Sequence, residues 1–164
     1  MSFEEIKKRL VSQFGEETFI EVNPKTNQPI LQVPVRHLVE ICRFLNEDEQ
    51  LFFDYLACVT GIDNGPEKGT LEVIYHLTSI PFEHNLVLKV VTQRQFDENS
   101  SIPTLSTIWK TADWHERETF DLLGIHFKGH PDLRRILLPN DWQGYPLRKD
   151  YQEQDFYHGI KVTY

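Results

Sequence analysis

The chain reads as an α+β domain: a central antiparallel or mixed β-sheet with helices packed mainly on one face, followed by an extended C-terminal arm. Three observations predict this. Segments of strand character bunch between residues 18 and 92, while helical periodicity appears before them and again after residue 104. Beyond Gly124, glycine and proline recur too often for a long helix or a central strand. The expected division is an α+β domain over 1–128 and an arm over 129–164.

The elements follow in order. Ser2-Phe3-Glu4-Glu5 has capping-box spacing, and Phe3, Ile6, Leu10 and Phe14 repeat at helical intervals until Gly15 supplies a left-handed stop. Thr18–Val22 and Pro29–Val33 read as short strands joined through Asn23-Pro24-Lys25-Thr26-Asn27, whose Asn and Pro residues suit a turn. Pro34 fits the first turn of a second helix with Val35, Leu38, Val39, Cys42 and Leu45 on its apolar face, ending at Asn46-Glu47-Asp48-Glu49. Leu51–Thr60, rich in aromatic and β-branched residues, reads as a buried strand that stops at Gly61-Ile62-Asp63-Asn64-Gly65-Pro66. Leu71–Thr78 and Leu86–Thr92 are further strands, and the connection between them is too short for a parallel crossover, so they pair antiparallel.

Composition narrows the function. The 164 residues fit one ordinary domain, 40% of them hydrophobic and 12% aromatic, which is enough to build a core. A formal charge of -8 repels phosphate backbones, so nucleic acid is not an expected partner. The N-terminus has no signal-peptide pattern and no apolar run approaches the ~18 residues of a membrane span, so no direct membrane insertion is expected. Cys42 and Cys58 stand outside any CxxC or zinc-ligand spacing and read as buried apolar fillers.

The densest charge lies in Asp113-Trp114-His115-Glu116-Arg117-Glu118-Thr119-Phe120-Asp121-Leu122-Leu123-Gly124. Asp113 and Glu116 have capping-box spacing, Gly124 is placed to end a helix, and Arg117 lies four residues from both Asp113 and Asp121. Paired-acid catalysis by Glu116 and Glu118 is weak, because helical neighbours two apart face different ways. A zincin site fails because Thr119 stands where the second His is required, and Gly129 and Pro131 break the helix that would align His126 with His130. A metal-dependent hydrolase built on His115, Glu116, His126 and His130 is the enzymatic alternative. No phosphate loop, nucleophile elbow or dinucleotide fingerprint is present.

The arm carries Arg134-Arg135 and Arg148-Lys149-Asp150-Tyr151 among Phe127, Leu133, Ile136, Leu137, Leu138, Trp142, Tyr145, Pro146 and Leu147. Such a segment is too apolar to float in water and must lie either on the chain's own sheet or on another protein. Surface charge pairs are the bland reading. Arginines and flat rings on an extended apolar segment are what protein interfaces enrich, so Arg135, Trp142, Tyr145, Pro146, Leu147, Arg148, Lys149, Asp150 and Tyr151 are read as interface residues.

At these positions the sequence resembles a known family, the 30-kDa subunit of NADH-quinone oxidoreductase, respiratory complex I. One family block stands here as Glu116-Arg117-Glu118, then Asp121-Leu122-Leu123, His130, Arg134 and Ile136-Leu137, with Gly124 closing the helix. A second stands as Gly144-Tyr145-Pro146-Leu147-Arg148-Lys149-Asp150-Tyr151, and Tyr75-His76-Leu77 and the Trp109, Ala112, Trp114 spacing also fit. The resemblance covers roughly residues 30 to 151.

The resemblance implies a subunit of the hydrophilic arm without catalytic residues or cofactor of its own. FMN, iron-sulfur clusters and quinone would sit in companion subunits. The expected partners are the large 49-kDa-type quinone-site subunit and neighbouring iron-sulfur subunits, on the cytoplasmic side of the inner membrane. A chain stopping soon after Asp150 implies a polypeptide separate from the large subunit. The equivalent subunit of a membrane-bound hydrogenase or formate hydrogenlyase is the alternative.

Overall fold

The computed structural model describes residues 1–22, 28–97 and 100–162. Helix α1 (Phe3–Phe14) starts with the expected capping box: Ser2 Oγ accepts from the Glu5 N–H, and the Glu5 carboxylate accepts from the Ser2 N–H at 2.7 Å. Strands β1 (Ile20–Val22) and β2 (Ile30–Gln32) pair antiparallel as predicted; their connecting turn, 23–27, lies outside the described residues. Pro34 opens a single 3-10 turn, Val35–His37, and the helix proper, α2, runs Leu38–Glu47.

The first long strand differs from expectation. It is β3 (Tyr55–Asp63), four residues later than predicted, because Leu51–Asp54 is taken up by a turn. Asp48 fixes that turn, its carboxylate accepting from the Gln50 and Leu51 N–H groups. Phe53 stays buried, and its carbonyl accepts from Trp109 Nε1 and Asn46 Nδ2. Strands β4 (Thr70–Ser79) and β5 (His84–Gln93) form the predicted antiparallel hairpin.

These strands make one mixed sheet in the order β1-β2-β5-β4-β3, in which β2 pairs parallel with β5 and every other pair is antiparallel. Strand β4 alternates strictly. Leu71, Val73, Tyr75 and Leu77 enter the core with Leu86, Leu88 and Val90 of β5, while Glu72, Ile74 and His76 face the other way. The same core cluster takes Ile6 and Leu10 from α1, Leu38, Ile41, Cys42 and Leu45 from α2, and Ala112 and Leu123 from α3 (Ala112–Leu123). All three helices therefore cover one sheet face. Cys42 is buried as expected, whereas Cys58 is only partly so and its Sγ lies 3.4 Å from Thr60 Oγ1.

Two small pairings complete the fold: β6 (Ile102–Pro103) with β7 (Phe127–Lys128), parallel, and β8 (Phe156–Tyr157) with β9 (Ile160–Lys161), antiparallel. No helix among the described residues is long and apolar enough to cross a membrane. Residues 129–151 are a run of turns that folds back onto the chain's own helix α3, rather than a freely extended arm.

Candidate partner-docking surface

Helix α3 packs on the edge strand β3, and Gly61 makes the close approach possible: a Cβ there would sit 2.4 Å from Leu123 Cδ1 and 2.7 Å from Thr119 Cγ2. The capping box expected at its start does not form. Thr111 precedes the helix and its hydroxyl donates instead to the Leu56 carbonyl, while Glu116 turns inward and is fully buried. The Glu116 carboxylate accepts from Thr104 Oγ1 at 2.5 Å and from the Leu105 N–H at 2.8 Å. Burial pushes its pKa up to about 7, partly opposed by these two donors and reinforced by the nearby Asp113 charge.

The other charges of α3 also find partners that helical spacing does not name. Arg117 reaches neither Asp113 nor Asp121. Its Nη1 lies 3.7 Å from Asp132, its Nε donates to the Arg134 carbonyl, and its guanidinium covers the Trp114 ring. His130, with a fully buried side chain, accepts from the Asp132 N–H through Nδ1, so Nε2 carries the hydrogen donated to the Asp113 carbonyl. Asp121 accepts from three successive backbone N–H groups, Ile136, Leu137 and Leu138, and pairs with Arg135 at 2.9 Å. Burial alone would raise its pKa; these four donors hold it below the usual carboxylate range.

The C-terminal end of α3 is closed by the block that follows. Gly124 takes the predicted left-handed conformation, φ +68°, and its N–H donates to the Phe120 carbonyl. The remaining orphan carbonyls are met in turn: Asp121 by Arg135, Leu122 by the Leu147 N–H, and Leu123 by Arg148 Nε at 2.7 Å. Two cations thus sit where the helix dipole favours them. Tyr145 lies against Gly124 and under both guanidinium groups, and Arg135 also donates to the Trp142 and Gly144 carbonyls. Trp142 Nε1 donates to the Tyr151 hydroxyl.

A second clamp was not visible in the sequence. Asp63, at the end of β3, accepts from Arg94 Nε at 2.8 Å and from the Gly65 and Lys149 N–H groups, while Arg94 also pairs with Asp150. Burial opposes ionisation of Asp63, but Arg94 and the two N–H groups pull its pKa well below the usual range. Arg94 and Asp63 carry no local pattern, since their partners are distant in the chain.

The side chains left over mix apolar and charged groups. Trp114, Glu118 and Leu122 share one stripe of α3 at four-residue spacing, and Leu147 adjoins its end, with Trp114 64% and Leu147 59% exposed. Leu137 is likewise exposed, and Arg134, Lys149 and Asp150 lie at the surface. Among the described residues, no three His, Cys, Asp or Glu side chains gather as metal ligands would.

Fold and site together define a class: an α+β domain whose signature charges pin an irregular segment to one helix, leaving Trp114, Leu137 and Leu147 exposed. The model of the respiratory-chain NADH dehydrogenase 30 Kd subunit family matches residues 31–157, and the chain belongs to that family. It is 53% identical over 125 residues to the NADH-quinone oxidoreductase C subunit of Chloroherpeton thalassium, covering 76% of this chain and 50% of that protein. With the corresponding NADH-quinone oxidoreductase C subunit of Chlorobium phaeobacteroides it shares 46% identity over 76% of this chain and 74% of the relative. The chain thus spans half the length of one relative and about three quarters of the other. Its fold is also that of a chain in the membrane-bound sulfane sulfur reductase, an archaeal respiratory membrane complex (TM-score 0.73, 23% identity, covering 91% of this chain and 85% of that one).

Proposed function

We propose that this chain is a non-catalytic, peripheral-arm subunit of NADH-quinone oxidoreductase, the complex that passes electrons from NADH through FMN and iron-sulfur clusters to quinone, coupled to proton translocation. Its work is assembly beside the large quinone-site subunit and neighbouring iron-sulfur subunits, on the cytoplasmic side of the membrane. The observation that carries this reading is the combination of family membership with the exposed Trp114 and Leu147 on either side of the half-buried Leu122. Contiguous exposed apolar side chains mark protein contact, and aromatic anchors dominate such contacts. The redox groups belong to companion chains. A four-thiolate cluster needs more cysteines than this sequence has, and Cys42 is packed inside the core with its thiol pKa pushed up by burial.

The division of labour within 129–151 also supports this. Arg135, Tyr145 and Arg148 are occupied holding the segment on α3, so they present the surface rather than form it. The contact itself falls to Leu147, Trp114 and the outward parts of Pro146, Lys149 and Asp150. Leu147→Glu is expected to leave the isolated chain's melting temperature within about 2 °C, because the side chain projects outward. In the complex purified from membranes it should lower the amount of this subunit several-fold, with NADH-driven quinone reduction falling in proportion. Wild-type incorporation of that variant would overturn the reading.

The structural likeness to a sulfane sulfur reductase complex favours one second reading, the equivalent scaffold position in a respiratory complex with a different electron acceptor. Identifying every chain that co-purifies from native membrane separates the two.

A further inference from the structure

A different surface carries apolar side chains that neither the helix α3 ridge nor the 129–151 segment explains. At the end of the sheet where β3 begins, two turns meet: the turn between α2 and β3, and the hairpin turn between β4 and β5. Together they expose Phe52, Tyr55, Ile80 and Phe82, with Ile80 62% and Phe82 47% accessible.

The two turns are fastened into one unit. The Ile80 N–H donates to the Asp54 carboxylate at 2.8 Å, and His84 Nε2 lies 2.7 Å from the Leu51 carbonyl. Phe82 stacks on the buried His84 ring, with centroids 5.8 Å apart and planes 14° from parallel. Within the first turn, the Phe52 N–H donates to the Asp48 carbonyl and the Asp54 N–H to the Phe52 carbonyl. Each turn also holds one non-glycine residue in the left-handed region, Phe52 at φ +37° and Glu83 at φ +53°. Such conformations cost energy and persist where the surroundings enforce them, and here they hold Phe52 outward. Rings held rigid in this way lose little freedom on binding.

The rim of the patch is acidic. Glu49 and Glu83 are exposed beside the rings, and no ion pair engages either of them among the described residues. Asp54 adds a third carboxylate. Arg9 and Arg43 are committed to Asp48 and Glu47. The exposed Lys110 lies between Trp109 and Thr111, which donate to the Phe53 and Leu56 carbonyls, and so borders the carboxylates. Aromatic faces bordered by carboxylates attract cations twice over, through the ring quadrupole and through charge, and they repel acidic partners.

We propose that this patch is a second docking surface, and that its occupant is a Lys- or Arg-rich segment of a companion protein in the same assembly; the proposal rests on the assembly reading above. The patch lies roughly 25–30 Å from the clamp at Asp63, given the rise along the nine residues of β3. Leu147 lies nearer than the clamp, in a separate hollow beside Cys58, Val59, Thr60 and Gly61 in the middle of β3.

The test places a photo-reactive phenylalanine derivative at Phe82, at Ile80 and, separately, at Leu147, in the full chain assembled into its membrane complex. After irradiation the cross-linked peptides are identified by mass spectrometry. The expected result is a companion-chain peptide flanked by Lys or Arg, cross-linked from positions 82 and 80. Its yield should drop about tenfold in the Glu49→Lys/Glu83→Lys background while the Leu147 cross-link persists. Cross-links from 82 and 80 to a second copy of this chain, to an acidic segment or to lipid would overturn the proposal. So would their absence while position 147 reports a partner, or a yield that the charge reversals leave unchanged. Silence at all three positions would overturn the assembly reading as well.

Discussion

Glu116 concentrates the consequences of burial in a single side chain. Its carboxyl holds a proton up to about pH 7 in the fold, against an ordinary value of 4.5 in the unfolded chain. The folded state therefore binds the proton more tightly, and stability from this group is full below pH 4.5 and drains away as the pH rises to 7. The loss is on the order of 3 kcal/mol. Asp63 and Asp121 act in the opposite sense: their depressed pKa values contribute stability above the ordinary 3.8, which is lost as acid protonates them. Melting temperature should accordingly fall between about pH 5 and about pH 8 in the wild type, and Glu116→Gln should flatten that decline. Gln can still accept from the Leu105 N–H and donate to Thr104. Parallel pH profiles for the two proteins would remove Glu116 from this role. The sequence marked Glu116 as special through its motif, yet local spacing offered a capping role. The real partners, Thr104 and Leu105, come from the loop ahead of the helix, and no helical period points there.

The elements were legible where their causes are local. The capping box of α1, the β4–β5 hairpin and the left-handed Gly124 all depend on neighbours within a few residues and stand as read, while Gly15 ends α1 at positive φ but with an extended ψ of 149° in place of the left-handed cap. The start of β3 did not, because Leu51–Asp54 has the composition of a strand but is claimed by Asp48 below it and Ile80 beside it. The parallel pairing of β2 with β5 was equally hidden, since more than fifty residues separate them. How α3 seats on β3 turns on Gly61, whose missing side chain admits Leu123 and Thr119. Gly61→Val should lift the helix and cost about 1–3 kcal/mol of stability by chemical denaturation. Combined with Leu123→Ala the two losses should sum to less than their separate values, because the second change vacates the space the first invades. Strict additivity would show that the two side chains do not compete.

For the molecule as a whole, the expected border between a domain over 1–128 and an arm over 129–164 becomes an experimental question. The later segment supplies the partners of Asp121, one of the N–H donors to Asp63, and the closure of the Leu122 and Leu123 carbonyls. A chain ended at residue 128 would leave these groups buried or half-buried without partners, at ~1–3 kcal/mol each. It should lose the cooperative thermal transition and the near-ultraviolet circular dichroism of the full chain, while keeping much of its far-ultraviolet signal. A sharp, native-like melt of that fragment would show that the arm is an accessory. The sequence showed that 129–151 must lie on something. It could not show that this something is largely the chain's own helix, because many of the binding groups there are backbone carbonyls, which every sequence possesses.

The clamp at Asp63 has a bearing on how the polypeptide is made. Its Lys149 N–H partner lies 86 residues downstream. At a synthesis rate of roughly 5–20 residues per second, the carboxylate emerges roughly 4–17 s before that donor exists. Late in this interval the end of α3 has been made but still waits for Leu147 and Arg148 to close its carbonyls. The nascent protein is most vulnerable to mispairing then, and the late-made stretch around Lys149 acts as the latch that ends the hazard.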